Sequence, residues 1–274
     1  MVSLQDIKSR IKRTSVQYGN PVKTCNIAGY KLVVDTREGI QKSMYINVFE
    51  LDETKWIYDI LKPGMIFIDV GASFGYYSFI ASSLVGDTGR VYAFEPSERA
   101  YEMFTRNIQK NHIRNITTYN SGLGNKNQYL ELYDSIGLKE NVHNIHAPSF
   151  VPAGRHYVAN QHLGMKPIIT LDRFAEIHGI RYIDLIKIDV EGMEMQVLEG
   201  MKQLLQESRV NRVMIEFVDH APLLSEGSVT QKMDKLLTSS GFKVEKKRVY
   251  EKGAEPATTS NFLYVNELAG AKYA

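Results

Sequence analysis

The chain has 274 residues, long enough for one large domain or two small ones with a sizeable core. Hydrophobic residues make up 43% and charged residues 23%, which excludes a chain disordered throughout, a collagen and a coiled-coil rod. A net charge of +2 makes no general case for nucleic acid, and the lone Cys25 excludes an internal disulfide or a cysteine-built metal site. No apolar run approaches the roughly 20 residues that span a bilayer. The first residues, MVSLQDIKSRIKR, lack the apolar stretch of a secretory signal, so a cytoplasmic location is expected.

Leu4, Ile7 and Ile11 recur at helical spacing among basic residues, which predicts a short surface helix or a dimer or membrane-surface contact. Residues 22–50 alternate in short runs, KLVVD and YINVFE, and predict short strands or hairpins capping a main sheet. A helix over 54–61 follows, with Thr54 as N-cap and Trp56, Ile57 and Ile60 as its buried stripe; Pro63 and Gly64 end it. From Met65 short apolar strands alternate with amphipathic helices. The strands are Ile66–Val70, Arg90–Phe94, Ile116–Asn120, Asp184–Val190, Arg212–Phe217, Phe242–Glu251 and Phe262–Val265. The helices fall near 75–84, 97–111 (Ser97 as N-cap), 170–178 (Thr170 as N-cap, Gly179 beyond its end), 193–206 and 228–240. This predicts an α/β fold with a doubly wound, mostly parallel, seven-stranded Rossmann-like sheet. The last two strands are expected to pair antiparallel. Residues 1–61 read as an N-terminal extension packing on a domain that spans 62–274. The stretch 135–167 breaks the rhythm, holds four of the seven histidines and reads as a long functional loop or lid.

The sharpest motif is Asp69-Val70-Gly71-Ala72-Ser73-Phe74-Gly75, where a buried strand enters a tight turn of small residues and then a helix. Gly71 permits close backbone approach, and the helix start offers free N–H groups. Ser73 and Tyr76 replace the second and third glycines of a dinucleotide fingerprint, and no Gly-Lys-Ser/Thr makes it a P-loop. Glu95, at the end of the next strand and followed by Pro96, has two oxygens that can accept from both hydroxyls of a ribose. The spacing D-x-G-x-x-x-G with Glu95 resembles class I S-adenosylmethionine (AdoMet)-dependent methyltransferases. That resemblance implies cofactor contacts from Asp69, Gly71, Ala72, Ser73, Phe74, Gly75, Glu95 and Pro96. Asp69 would lie near the methionine amino group, and Ser121, Gly122 and Leu123 beside the adenine.

The fourth strand and its exit, IDLIKIDVEGMEMQVLEG over 183–200, strengthen the likeness. With FIDVGASFGYYS, GRVYAFEPS, MIEF and the ending NFLY, it resembles the FkbM family of methyltransferases over roughly residues 45 to 265. The family resemblance implies the class I methyltransferase fold and O-methylation of a hydroxyl on a small molecule, sugar, glycan or polyketide-type product. It names no acceptor.

Transfer to a hydroxyl needs alignment and a base. Asp189 and Glu191 close the fourth strand and share a face if it stays extended through 191. Glu216, on the fifth strand, faces the same pocket if the two strands are neighbours; its other reading is an ion pair with Lys187. His220 is a second candidate base, and Asp189 is the first. Asp189 and Glu191 have a plainer reading as helix N-terminal caps. Asp189, Glu191 and Glu216 are also the candidate ligands for a divalent cation that would lower the hydroxyl's pKa. His143, His146, His156 and His162 are a weak zinc candidate. Phe150, Arg155, His156, Tyr157, Asn160 and Gln161 suit a lid over a sugar. Competing functions are a nicotinamide-dependent oxidoreductase, a non-catalytic binding module and a nucleic-acid methyltransferase; the small charge argues against the last.

Overall fold

An Ala28-Gly29 pair with positive φ at both positions closes the first hairpin, the condition for a two-residue turn that matches strand twist. It joins β1 (Val22–Ile27) to β2 (Tyr30–Asp35), antiparallel. In this computed structural model the described residues are 19–137, 146–150, 157–219, 228–250 and 258–269. The N-terminal amphipathic stretch and His220 therefore lie outside the described residues, as do His143, Arg155 and His156.

The hairpin caps one face of the main sheet, as expected, without pairing to it. It forms a sheet of its own. It leans on the helix Glu98–Lys110, where the Asn107 amide both accepts from Val33 N at 2.8 Å and donates to Val33 O at 3.0 Å. YINVFE is not a strand. Gly39–Ile46 is helix α1, ended by Asn47 in a left-handed conformation. Helix α2 runs Leu51–Ile60, three residues ahead of the predicted start. Its cap position is Glu50, also left-handed at φ 36°, and Thr54 lies inside the helix with its hydroxyl on Tyr76 at 3.2 Å. The Trp56 and Ile57 stripe is buried as expected.

β3 (Ile66–Val70), α3 (Tyr76–Val85), β4 (Arg90–Phe94), α4 (Glu98–Lys110) and β5 (Ile116–Tyr119) follow in alternation. After β6 (Gly122–Leu123) come β7 (Gln128–Gly137), β8 (His146–Ser149), β9 (Tyr157–Ile169) and α5 (Leu171–Ile177). The rest is β10 (Ile183–Ile188), α6 (Glu194–Glu199), α7 (Lys202–Gln206), β11 (Val210–Asp219), α8 (Val229–Ser239), β12 (Phe242–Tyr250) and β13 (Thr258–Asn266). Ser97 and Thr170 cap α4 and α5 with their hydroxyls, and Gly179 follows α5 at φ 62°. The single helix expected over 193–206 is two, parted at Gly200. A side chain on Gly200 would meet Gly124 O at 1.9 Å, so the break lets the chain press against the β6 turn.

The main sheet is α/β and mostly parallel, with seven strands in the order β12-β13-β11-β10-β3-β4-β5. β13 runs antiparallel to both β11 and β12. The winding reverses between β3 and β10, and ligands of open α/β sheets bind at the carboxyl ends beside such a reversal. One face of the sheet is covered by α5 to α8, through Phe174, Leu198, Met201 and Leu237. The other is covered by α1 to α4 and the hairpin, through Met44, Ile57, Phe79, Phe104 and Leu32. Burial on both faces explains the unbroken apolar strands IFIDV and DLIKI.

The described residues of the 135–167 stretch are mostly strand rather than loop. β7, β8 and β9 build, with β6, a second sheet in the order β6-β9-β7-β8. Its outer face is exposed at Tyr129 and Met165, and irregular register at Leu132/Tyr133 and Ile136/Gly137 hid its alternation from the sequence.

Candidate active site

The turn after β3 is shaped by what it must pass. Gly71 has φ 80°, and a Cβ there would sit 1.8 Å from Asp189 O. No other residue lets the two strand exits cross so closely. Gly75 has φ 85° and abuts the Phe104 ring. The N–H groups of Gly71 and Ala72 both reach Phe94 O at 3.0 Å, which ties the turn to the end of β4.

Glu95 follows β4 and is 6% exposed. One carboxylate oxygen accepts from Ser73 N and the other from Ser97 N, each at 2.7 Å. Burial pushes this carboxyl up to about 7, against the pull of those two donors. Asn120 donates to Glu95 O and Pro96 O and accepts from Lys166 at 2.7 Å.

At the end of β10 the parallel register brings Ile188 beside Ile215, so Asp189 and Glu216 come next to each other. The two carboxyl groups hydrogen-bond, and Lys187 donates to Asp189 Oδ2 at 2.7 Å. Burial would raise Asp189, but the Lys187 ammonium and the bond from Glu216 outweigh it and hold the carboxyl below its ordinary value. Glu216 is pushed up to about 10, by burial first and then by the charge of Asp189. At neutral pH the pair is thus one carboxylate and one neutral acid that donates to it. Lys187, 6% exposed, lies 4.9 Å from the centre of the Tyr77 ring. Burial alone would lower its pKa; Asp189, Asp69 and Glu50 together raise it. Glu50 accepts from the Tyr77 hydroxyl, and burial lifts it to about 7.

These elements enclose a cavity of about 400 Å³ at the carboxyl ends of β3, β4 and β10. That volume is within the usual range of small-molecule sites. Gly71, Ser73, Phe74, Glu95, Pro96, Gly122, Leu123, Asp189 and Glu191 all line it. Asp69, Ala72, Gly75, Ser121 and Glu216 do not. Asp69 is 1% exposed beneath the turn, where one oxygen accepts from Ser78 Oγ at 2.6 Å. Glu216 stands behind Asp189.

Three local expectations change. β10 stops at Ile188, and Glu191 turns to φ 53° before Gly192 at φ 104°, so Asp189 and Glu191 do not share a strand face. Neither caps α6, whose N-cap position is Met193 with no side-chain cap bond; Glu194 instead ties down the preceding turn, accepting from Val190 N and Gly192 N. Lys187 pairs with Asp189 rather than Glu216. Among the described residues, no three His, Cys, Asp or Glu side chains are grouped to hold a metal ion. His162 is exposed beside Tyr133, and His146 lies on β8.

Sequence reasoning missed Glu50 and Tyr77. Both come from segments read only for packing. It also missed the second sheet's share of the wall, Asp134, Pro148 and Leu163, although Phe150 and Gln161 were singled out and do line the cavity. Ser149 Oγ donates to Glu191 O at 2.9 Å and ties that sheet to the turn after β10.

A family model described as the methyltransferase FkbM domain matches residues 69–244. Hexuronic acid methyltransferase AglP of Haloferax volcanii is 24% identical over 206 residues, which cover 73% of this chain and 77% of that protein. Methyltransferase sdnD of Sordaria araneosa is 24% identical over 218 residues, 71% of this chain and 81% of that one. The crystal structure of M. jannaschii TYW2 in complex with AdoMet overlaps 91% of this chain and 89% of its own, at 13% identity and a TM-score of 0.48. The turn, the paired acidic strand exits and a family match over residues 69–244 carry one assignment: the chain belongs to the FkbM methyltransferase family, AdoMet-dependent enzymes of the class I fold.

Proposed function

We propose that this methyltransferase acts on a hydroxyl group of a sugar, glycan or hydroxylated natural product, with Asp189 as the residue that receives the hydroxyl proton. The observation that carries the reading is the state of Asp189: ionised, held by Lys187 and Glu216, and open to the cavity beside Gly71. Its side chain is 27% exposed, whereas that of Lys187 is 8% exposed. Membership of a methyltransferase family sets aside the nicotinamide-dependent oxidoreductase.

The residues present fit the cofactor. Glu95 offers oxygens already oriented by two backbone donors, the Gly71 turn leaves no side chain in the way, and the cavity has the right size. Glu95 would hold the ribose hydroxyls, with Ser73 and Phe74 along the turn. When bound, AdoMet supplies a methyl group activated by a positive sulfur. Lys187 keeps Asp189 ionised and aimed. Asp189 would orient the acceptor hydroxyl and take its proton. Glu216, already neutral, donates to Asp189 and holds its carboxylate in place. Glu191, exposed at the cavity rim, is placed to meet other hydroxyls of the acceptor. The name of the Haloferax relative, a hexuronic acid methyltransferase, supports a sugar as the first class to try.

The test is calorimetry with AdoMet, S-adenosylhomocysteine and NAD, followed by transfer of labelled methyl to a panel of hexuronic sugars, glycans and phenols. Binding of the first two and not NAD is expected, and Glu95→Ala should weaken it by about 1–3 kcal/mol. Label appearing on amines and never on hydroxyls would overturn O-methylation.

A further inference from the structure

A line of contacts runs from the start of α2 to the carboxylate at the cavity wall. Glu50 stands at the cap position of α2, yet its side chain makes no cap bond there. It turns inward and accepts from the Tyr77 hydroxyl. Its backbone is left-handed, at φ 36° and ψ 60°, a conformation that a residue other than glycine keeps only where its surroundings hold it. Tyr77, on α3, is buried. Phe49 and Tyr76 pack against its ring, with centroids 6.2 and 5.2 Å away. Burial and the neighbouring Glu50 carboxylate keep the phenol protonated, so it remains a donor. The Lys187 ammonium lies over the face of the same ring, 4.9 Å from its centre, and donates to Asp189 at 2.7 Å. An ammonium carries three donors and needs more than one partner when buried. Asp189 supplies one, and the electron-rich ring face supplies a second.

We propose that Glu50 and Tyr77 are positioning residues for methyl transfer: Glu50 anchors the Tyr77 ring, the ring seats Lys187, and Lys187 aims Asp189 at the acceptor. Neither Glu50 nor Tyr77 lines the cavity, so both act through Asp189. Glu50 precedes the matched family segment, residues 69–244. The role deepens the function proposed above and rests on Asp189 receiving the hydroxyl proton.

Proton NMR of the ligand-free protein reads the seat without any acceptor. Protons over an aromatic face are shifted upfield, so the side-chain methylene next to the Lys187 ammonium should give a ring-current-shifted signal, assigned by through-bond correlation to the Lys187 backbone. Glu50→Ala removes the anchor, Tyr77→Phe keeps the ring and removes its tether, and Glu50→Gln keeps an oxygen that accepts from the phenol. Glu50→Ala and Tyr77→Phe should each lose much of the shift and lower methyl transfer about tenfold. The double variant should be no worse than either single one, because both remove the same bond. Glu50→Gln should keep the signal and stay within about threefold of wild-type turnover. Affinity for S-adenosylhomocysteine, read by calorimetry, should stay at the wild-type value in every variant, which separates lost aim from a damaged fold. An unmoved signal in Tyr77→Phe, losses that multiply in the double variant, or Glu50→Gln as impaired as Glu50→Ala overturns the anchor. Should Glu50→Ala fail to fold, Tyr77→Phe and Glu50→Gln decide it. Normal turnover in Asp189→Asn overturns the base itself, an outcome distinct from variants at Glu50 and Tyr77 that behave like wild type.

Discussion

Asp189 is a carboxylate kept charged inside a protein, and the residues around it explain how. Lys187 lies two positions earlier, near the end of β10, which stops at Ile188, and its ammonium donates to Asp189 Oδ2 at 2.7 Å. Glu216 arrives from the neighbouring strand already neutral. Replacing Asp189 by Asn keeps the shape and removes the proton acceptor; methyl transfer should fall at least ~100-fold while AdoMet affinity, read by calorimetry, stays within a few-fold. Near-normal turnover would remove Asp189 from the mechanism. Lys187 acts through Asp189 and is a positioning residue. Lys187→Met removes the charge that holds the carboxyl low, so the pKa of Asp189 rises and the acid limb of the pH–rate profile should move to higher pH. It leaves Asp189 and Asp69 without their cation and should cost about 3–5 kcal/mol of stability by denaturant titration. An acid limb that stays in place would mean that Lys187 only supports the fold.

At the scale of elements, the strands that position the site were legible because they are buried on both faces and flanked by turn residues. β3 and β4 match their predicted limits residue for residue, and the β12–β13 pairing is the predicted antiparallel one. What escaped is instructive. The helix Gly39–Ile46 has a glycine, a serine, a tyrosine and two isoleucines in eight residues, a weak propensity signal that packing of Met44 overrides. The second sheet escaped because its irregular register breaks the two-residue period. The Glu50–Tyr77–Lys187 contacts escaped because nothing in a sequence says that two distant turns meet. Gly71, in contrast, announced itself, and the crossing of two strand exits explains why. Gly71→Ala adds a methyl group 1.8 Å from Asp189 O and forces a positive φ. It should displace Asp189, abolish measurable AdoMet binding and lower the thermal midpoint; Gly29→Ala, with open space around its Cβ, should leave binding intact. Equal behaviour of the two variants would contradict the crossing as the reason for the glycine.

For the whole molecule the buried carboxyl groups set a pH dependence of unusual sign. Glu50 and Glu95 titrate at about 7 in the fold and at about 4.5 in the unfolded chain, and Glu216 is raised further, to about 10. Between those limits the folded protein holds protons that the unfolded chain has lost. Stability from these groups is complete below pH 4.5 and declines as pH rises through 7 and beyond. Asp189, Asp35 and Asp59, all lowered, add stability that is fully present above their ordinary value of 3.8 and is lost only as pH falls below it. The ligand-free protein should therefore melt at a higher temperature at pH 5 than at pH 8.5, and Glu95→Gln should flatten the slope; a midpoint that rises with pH would refute the assignment. The N-terminal hairpin bears on the site in another way. Asn107 and Asn111 fasten β2 to the far end of α4, Arg99 pairs with Glu38 at its near end, and the first turn of α4 is cavity wall. The wall is thus braced by chain that lies outside the matched family segment. An engineer who grafts a foreign leader onto residue 65 keeps every motif and loses the buttress behind the cofactor.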